Sequence, residues 1–470
     1  MSEFITIQVG QCGNQIGSAF WPHVLQEYGI QIPRESGYWP RNQHHQVQPR
    51  PHLNDAFHSF FYCPDGDAGT TLKTLRDLEN AKIKARAVCI DMEDSVVARY
   101  RSGHLRNLFD AASLLTNYPG SANNWAEGHL THGIRYRDKI SNLLRHTVEC
   151  CDQLHGFLLL FSLGGGTGSG LGTAVLDLLE EQYPHIDRLV TCVYPGGIED
   201  VITAPYNVIL SMKELTDHAS CVLPVDNKAL LDICSRLRSG HGSSDMPKKP
   251  FDDMNTVVVN MLLHLTSGSR FPGTLNVDMN EVATNLVPFP GLQYISSSLS
   301  PLSSAAMLSL PPGRSMKSDE MFNGVWSRDN QLVKLDTLGG ILLGTAFIAR
   351  GALTLSDVRR NVARLQEKAK FISWNHNAVK VGMCSVPPPG LSSSLLGLFN
   401  TSSMVNLFKD VVQKFNKLYC RKAHVHHYLQ VDGFSENHFK DSLNSIQDII
   451  SSYKELETRE PIVLPRMQVL

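Results

Sequence analysis

A glycine run set between an apolar strand and an amphipathic helix limits most of what this chain can be. Gly156 to Phe161 is a short run apolar on both faces. It leads into Ser162-Leu163-Gly164-Gly165-Gly166-Thr167-Gly168-Ser169-Gly170, after which Leu171, Val175, Leu178 and Leu179 fall at helical spacing. Glycines let the backbone turn tightly and aim several N–H groups at one point with no Cβ in the way. A helix start adds unpaired donors and the positive end of a dipole. The hydroxyls of Thr167 and Ser169 are further donors, and phosphate is the ligand this arrangement suits. A Walker loop requires a lysine within GxxxxGK[ST], and none follows here. A dinucleotide fingerprint requires GxGxxG, and Ser169 stands where its third glycine belongs, which sets aside a nicotinamide-dependent oxidoreductase.

The alternation of short strand, loop and helix recurs through the first half. Phe4 to Val9, Ala87 to Ile90, Leu189 to Tyr194 and Cys221 to Val225 are further strand candidates, apolar on both faces as in a parallel sheet covered by helices. The expected fold class is α/β, a doubly wound sheet with ligands at the carboxyl ends of its strands. This first domain spans 1–227. Residues 228–271 read as a polar linking loop (Ser235 to Pro250) and a core helix with Met254, Val258, Met261 and Leu265 on one face. Residues 272–400 read as an intermediate α/β domain. Residues 401–470 read as a helical region with two stripes, Val405, Phe408, Val412, Phe415, Tyr419 and Leu443, Ile446, Ile450, Tyr453, Leu456. Arg34 to Asp67 is expected to be a long surface loop, and Pro22 to kink the first helix.

Composition narrows the partners. The 470 residues include 43 basic and 45 acidic ones, a formal charge of −2, so neither nucleic acid nor an anionic membrane is favoured. No apolar run reaches the roughly 18 residues of a spanning helix. The start MSEFITIQVGQCG lacks the basic region and apolar core of a signal peptide. Ten scattered cysteines without a CxxC pair fit reduced thiols in the cytosol. Cys150-Cys151 are expected to end a helix as buried thiols. His424-Val425-His426-His427, with no Cys or acid partner at ligand spacing, reads as a helix–strand junction and not a metal site.

Around the glycine run, segments in order resemble the tubulin family, whose signature is GGGTGSG. The resemblance covers nearly the whole chain and implies a tubulin/FtsZ-like GTPase fold. That fold has a Rossmann-like sheet domain, a core helix, a second α/β domain and C-terminal helices, and it binds GTP or GDP with Mg2+. Ser162, Gly164, Gly165, Gly166, Thr167, Gly168, Ser169 and Gly170 would cradle the phosphates. Gln11 and Cys12, within GQCGNQIG, would lie against the nucleotide. Asp91-Met92-Glu93 resembles the acidic loop, in which Asp91 contacts the nucleotide site and Glu93 reaches the magnesium through water. Asn123, in Asn123-Asn124-Trp125, would stand near the γ-phosphate. Asn227 and Asn255 would bond the guanine edge, which needs groups that both donate and accept, while Phe251 stacks on the ring.

Arg270 to Glu281 resembles the loop that a tubulin inserts into the nucleotide site of its longitudinal neighbour. Asp278 and Glu281, three apart at a helix start, share a face and the positive end of the dipole. In alpha-type subunits the position of Glu281 is a glutamate that polarises the attacking water; in beta-type subunits it is not acidic. The resemblance therefore assigns Glu281, with Asp278, to GTP held by another subunit. A helix-capping charge pair is the plainer alternative.

KARAVCIDMED, CVLPVDN, NLVPFPGLQYISSSLSPL and KAHVHHYLQV resemble the epsilon-type members of the family. This implies a cytoskeletal subunit of the centriole, centrosome or basal body, serving triplet microtubules, with delta-type, alpha or beta tubulins and centriolar proteins as partners. Three departures stand out. The ribose loop, Tyr194 to Asn207, is a residue shorter than in alpha- or beta-type chains, and Ala204 replaces a glutamate, leaving Asp200 to reach the ribose. Gly120 replaces an acid, which throws magnesium binding onto Glu93. No acid follows Glu460, which argues against the bulk microtubule wall. Two functions remain: an assembling subunit with hydrolysis at inter-subunit contacts, or a GTP-stabilised scaffold that does not hydrolyse.

Overall fold

A computed structural model describes residues 2–32, 56–64, 72–197, 201–239, 250–302, 316–375 and 378–458. β1 (Glu3–Val9) opens the chain, and β2 (Phe61–Tyr62) pairs with β3 (Lys84–Ala85) as a small antiparallel ribbon. β4 (Ala87–Asp91), β5 (Leu114–Thr116), β6 (Leu154–Ser162), β7 (Asp187–Tyr194) and β8 (Cys221–Asp226) join β1 in a six-stranded sheet ordered β5-β4-β1-β6-β7-β8. Every pairing is parallel. Counted within the sheet the order is 3-2-1-4-5-6, that of doubly wound nucleotide folds, and it reverses between β1 and β6.

Helices cover both faces: α1 (Gly10–Glu27), α2 (Gly133–Glu149), α3 (Gly172–Gln182), α4 (Ala204–His218) and α5 (Asn227–Ser239). α1 starts directly after Val9 and runs past Pro22 to Glu27. Cys150 caps α2, and it and Cys151 are half-buried free thiols, not the buried pair expected.

α6 (Pro250–Leu265) buries more than the one stripe read from its sequence. Val257, Val259, Leu262 and Leu263 are as buried as Met254, Val258, Met261 and Leu265. A helix apolar all round must lie inside. α6 packs against α1 on one side and against β9 (Ser296–Ser300), β10 (Ile341–Gly351) and β13 (Ser393–Thr401) on the other. With β11 (Lys370–Phe371) and β12 (Val379–Cys384), these strands form a mixed sheet ordered β11-β10-β13-β9, β12 also pairing with β10. Its helices are α7 (Met279–Leu286), α8 (Ser318–Trp326) and α9 (Leu355–Lys368).

A buried ionic node ties the two sheets. Glu27, at the end of α1, meets Arg270 at 2.6 Å and Arg350, on β10, at 2.7 Å. Burial alone would raise its carboxyl, but the two guanidiniums hold it at about 2.

α10 (Val405–Tyr419) and α11 (Glu436–Thr458) close the structure against α4. On α10 the buried stripe is Val405, Phe408, Val411 and Phe415, while Val412 and Tyr419 are half-buried. The histidine-rich stretch leads into a short helix, Val425–Leu429, so it joins two helices and no strand. Among the described residues, no helix is long and apolar enough to cross a membrane.

Candidate functional site

Four loops meet above the carboxyl ends of β1, β4, β5 and β6, at the reversal in strand order. After β1 the chain turns at Gly10, whose φ of +71° favours glycine. A Cβ there would stand 2.9 Å from Gly168 N, so the first loop and the glycine run touch backbone to backbone. Gly166 is equally tight: a Cβ would lie 2.6 Å from Asn124 N and 2.8 Å from Ser121 O. Gly164 and Gly165 differ. The nearest atoms to their Cβ positions are Pro195 Cβ at 3.5 Å and Asn123 Oδ1 at 3.9 Å. Gly166 therefore locks the loop against its neighbours, and Gly164-Gly165 present the open backbone.

The hydroxyls divide in the same way. Ser169 is buried and donates to the carbonyls of Gly165 and, at 3.4 Å, Gly166, so it stiffens the loop from inside and leaves the phosphate to backbone N–H groups. Thr167 Oγ1 is half-buried, 3.1 Å from Ser121 Oγ. Ser162 ends β6, half-buried. Behind the first loop, Asn14 Nδ2 donates to Gly10 O (2.9 Å) and Ile90 O (3.1 Å), tying the β1 and β4 loops together. Gln11 is exposed and Cys12 half-buried on the first turn of α1.

Asp91 ends β4, buried, and its Oδ2 has no hydrogen-bond partner. Burial pushes its carboxyl up to about 7; the Met92 N–H pulls the other way and the Glu93 charge adds to the rise. Glu93 itself is exposed, and a Cβ on Gly120 would sit 3.1 Å from its Oε1. An acid at position 120 would crowd Glu93. Among the described residues, no group of three or more His, Cys, Asp or Glu could hold a metal. One exposed carboxylate beside one unpartnered buried oxygen nonetheless fits magnesium, which keeps several waters and takes its remaining ligands from one or two carboxylates and phosphate oxygens.

Asn123 is exposed at a φ of 55°, and Ala122 before it has 45°, a left-handed pair held in place from outside. The holder is Asn207 on α4, fully buried and missed in the sequence as a site residue. Its Nδ2 donates to Asn123 O (2.8 Å) and Gly164 O (2.9 Å), and its Oδ1 accepts from Trp125 N (3.0 Å) and Tyr428 Oη (2.6 Å). The one available signal was an amide within an otherwise apolar helical run, Val208-Ile209-Leu210. On the base side, a Cβ on Gly196 would lie 3.1 Å from Asn227 Cβ, so the β7 loop covers the start of α5. Asn227 is half-buried there. Phe251 is 46% exposed on the first turn of α6, and Asn255 lies half-buried one turn on. Asp200 lies outside the described residues.

Asp278 and Glu281 are not brought to this cradle. Asp278 caps α7, accepting from Glu281 N at 2.7 Å, and lies 3.5 Å from His155 Nε2. Glu281 is 44% exposed and pairs with Lys380 Nζ on β12 at 3.0 Å. His155 is the second residue of β6 and Ser162 its last. At ~3.3 Å per residue, that puts about 23 Å of strand between the acids and the glycine run.

Residues 3–235 match the family model described as Tubulin/FtsZ family, GTPase domain, and residues 290–413 match the Tubulin C-terminal domain. The chain is 43% identical to the mouse tubulin epsilon chain, over 99% of this chain and 98% of that one. Identity to the human tubulin epsilon chain is 42%, over the full length of both. Identity to the human tubulin beta-1 chain is 31%, over 98% of this chain and 96% of that one.

Proposed function

This chain belongs to the tubulin family, and from that premise we propose an epsilon-like centriole or basal-body subunit whose GTP is hydrolysed only across contacts with other tubulins. Membership itself makes it a GTP- or GDP-binding tubulin subunit. The observation that carries the rest is the separation of the cradle from the acids along β6. A carboxylate about 23 Å away cannot serve the nucleotide of its own chain.

In this reading the N–H groups from Gly164 onward hold the phosphates, with Gln11 and Cys12 against the nucleotide. Asn227 and Asn255 bond the guanine edge under the Phe251 ring. Asp91 and Glu93 would hold magnesium, directly or through water, and the bound ion would supply positive charge against the phosphates. Asn123 faces the γ-phosphate. Glu281 polarises water at a neighbour's nucleotide, and Asp278 fixes the helix that presents it. Phe289 and Trp374 support a contact on that side: they are 43% and 48% exposed and stack edge to face at 5.9 Å, Phe289 lying just beyond α7. The partners would be delta-type, alpha or beta tubulins and centriolar proteins.

The non-hydrolysing scaffold draws on the Lys380 pair, which holds the Glu281 carboxylate against its own chain. Two measurements decide. Purified protein should retain GTP or GDP, and a nucleotide-free preparation that binds neither would end the reading. Phosphate release on mixing with candidate tubulins should fall by about a hundredfold or more in Glu281→Ala; an unchanged rate in such an assembly would leave the scaffold.

A further inference from the structure

The outer face of α10 carries a groove rimmed by cations. It encloses about 740 Å³ between α10 and α11, and none of its lining residues is acidic. Its floor is Ile450 and the half-buried Val412, the residue expected inside but turned out when Val411 took the core position. Its rim is Lys409, Lys417 and Arg421, all exposed and, among the described residues, in no ion pair. The neighbouring cations are spent: Lys414 pairs with Asp410 at 2.8 Å and Lys422 with Glu436 at 2.9 Å. Lys417, in the last turn of α10, complements the helix dipole. On the far flank of α11 a second groove is lined by Asp441 and Asp448 and by no cation, the reverse of the first.

We infer that the α10–α11 groove is a docking site for an acidic peptide segment of a partner protein, one that carries an apolar side chain between its acids. Lys409 and Lys417 are eight residues apart on the helix, about 12 Å, which about four residues of extended chain would span. Acids at that spacing reach both rim cations while the intervening side chain covers Val412 and Ile450. The chain's own residues 459–470 hold one acid, Glu460, against Arg459 and Arg466, and do not complement the groove.

The test is fluorescence anisotropy of full-length protein with a dye-labelled peptide bearing alternating glutamates around a central leucine, at about 0.15 M salt. Binding should weaken roughly tenfold or more in Lys409→Glu/Lys417→Glu/Arg421→Glu and persist in Lys409→Arg/Lys417→Arg/Arg421→Lys. If the reversal variant melts early, Lys409→Gln/Lys417→Gln/Arg421→Gln replaces it. Val412→Asp should weaken binding as well. Undiminished binding in the reversal or neutral variant would overturn the assignment. So would equal binding of a leucine-free peptide or a single-stranded oligonucleotide, which marks a nonspecific cationic surface. Self-association abolished by the same variants would make a second copy the occupant and overturn it too.

Discussion

The two edges of the parallel sheet are built from the same strands and follow opposite rules. At the amino-terminal edge, charges are closed off against one another. Glu3 pairs with Arg86 in the interior, Arg188 with Glu180, and His218 with Glu180 and Glu214. At the carboxyl edge, Asp91 Oδ2 and Asn14 Oδ1 are buried without partners, and Gly164-Gly165 present bare backbone. Unpaired polar groups cost stability. At the carboxyl edge they lie where a ligand would sit, whereas at the amino-terminal edge Glu281 is held by Lys380.

That contrast can be broken by mutation. Arg86→Met should cost about 3–5 kcal/mol of stability, because it strands a buried Glu3, and denaturant unfolding measures it. A loss under 1 kcal/mol would mean that the amino-terminal edge is not closed by its ion pairs. His218 sharpens the same point through pH. Hydrogen bonding to Glu214, and then to Glu180, outweighs burial and raises it to about 9, against about 6.5 unfolded. Its stabilisation is therefore complete below about pH 6.5 and is lost as pH rises through about 9. His218→Gln should cost about 2–3 kcal/mol more at pH 6 than at pH 10, and a pH-independent loss would refute the pairing.

At the other edge, two adjacent glycines should behave differently. Gly166→Ala should destabilise by about 1–3 kcal/mol, whereas Gly165→Ala should leave melting within about 0.5 kcal/mol and weaken only nucleotide binding. Equal effects would erase the distinction between locked and open halves of the loop. Smallest is Phe251→Ala, expected to weaken GTP binding roughly tenfold with unchanged melting, since the ring is already half exposed.

The sequence made the nucleotide edge legible because its signals are local. Apolar runs marked β1, β4, β6, β7 and β8, and glycine marked the loop between β6 and α3. Elements without such a signal stayed hidden. β5 has three residues, and β9 is Ser296-Ser297-Ser298-Leu299-Ser300, buried throughout yet polar in composition. Asn207 was invisible as a site residue because its four bonds reach residues far away in the chain. Sequence alone explains the glycine run by room for phosphate; room for Asn124 and Ser121 explains Gly166 better, and Ser169 turns inward. That Asp278 and Glu281 would stand at the opposite edge from the cradle could not be read from spacing, because it depends on where α7 docks against β6.

Whether cradle and acid act between molecules is read by loading the protein with GTP and following phosphate release per chain. Total concentration is raised, with and without partner tubulin. No measurable release is expected when the chain is dilute and alone, and the per-chain rate should climb as contacts form. A per-chain rate that is substantial and independent of concentration would contradict it.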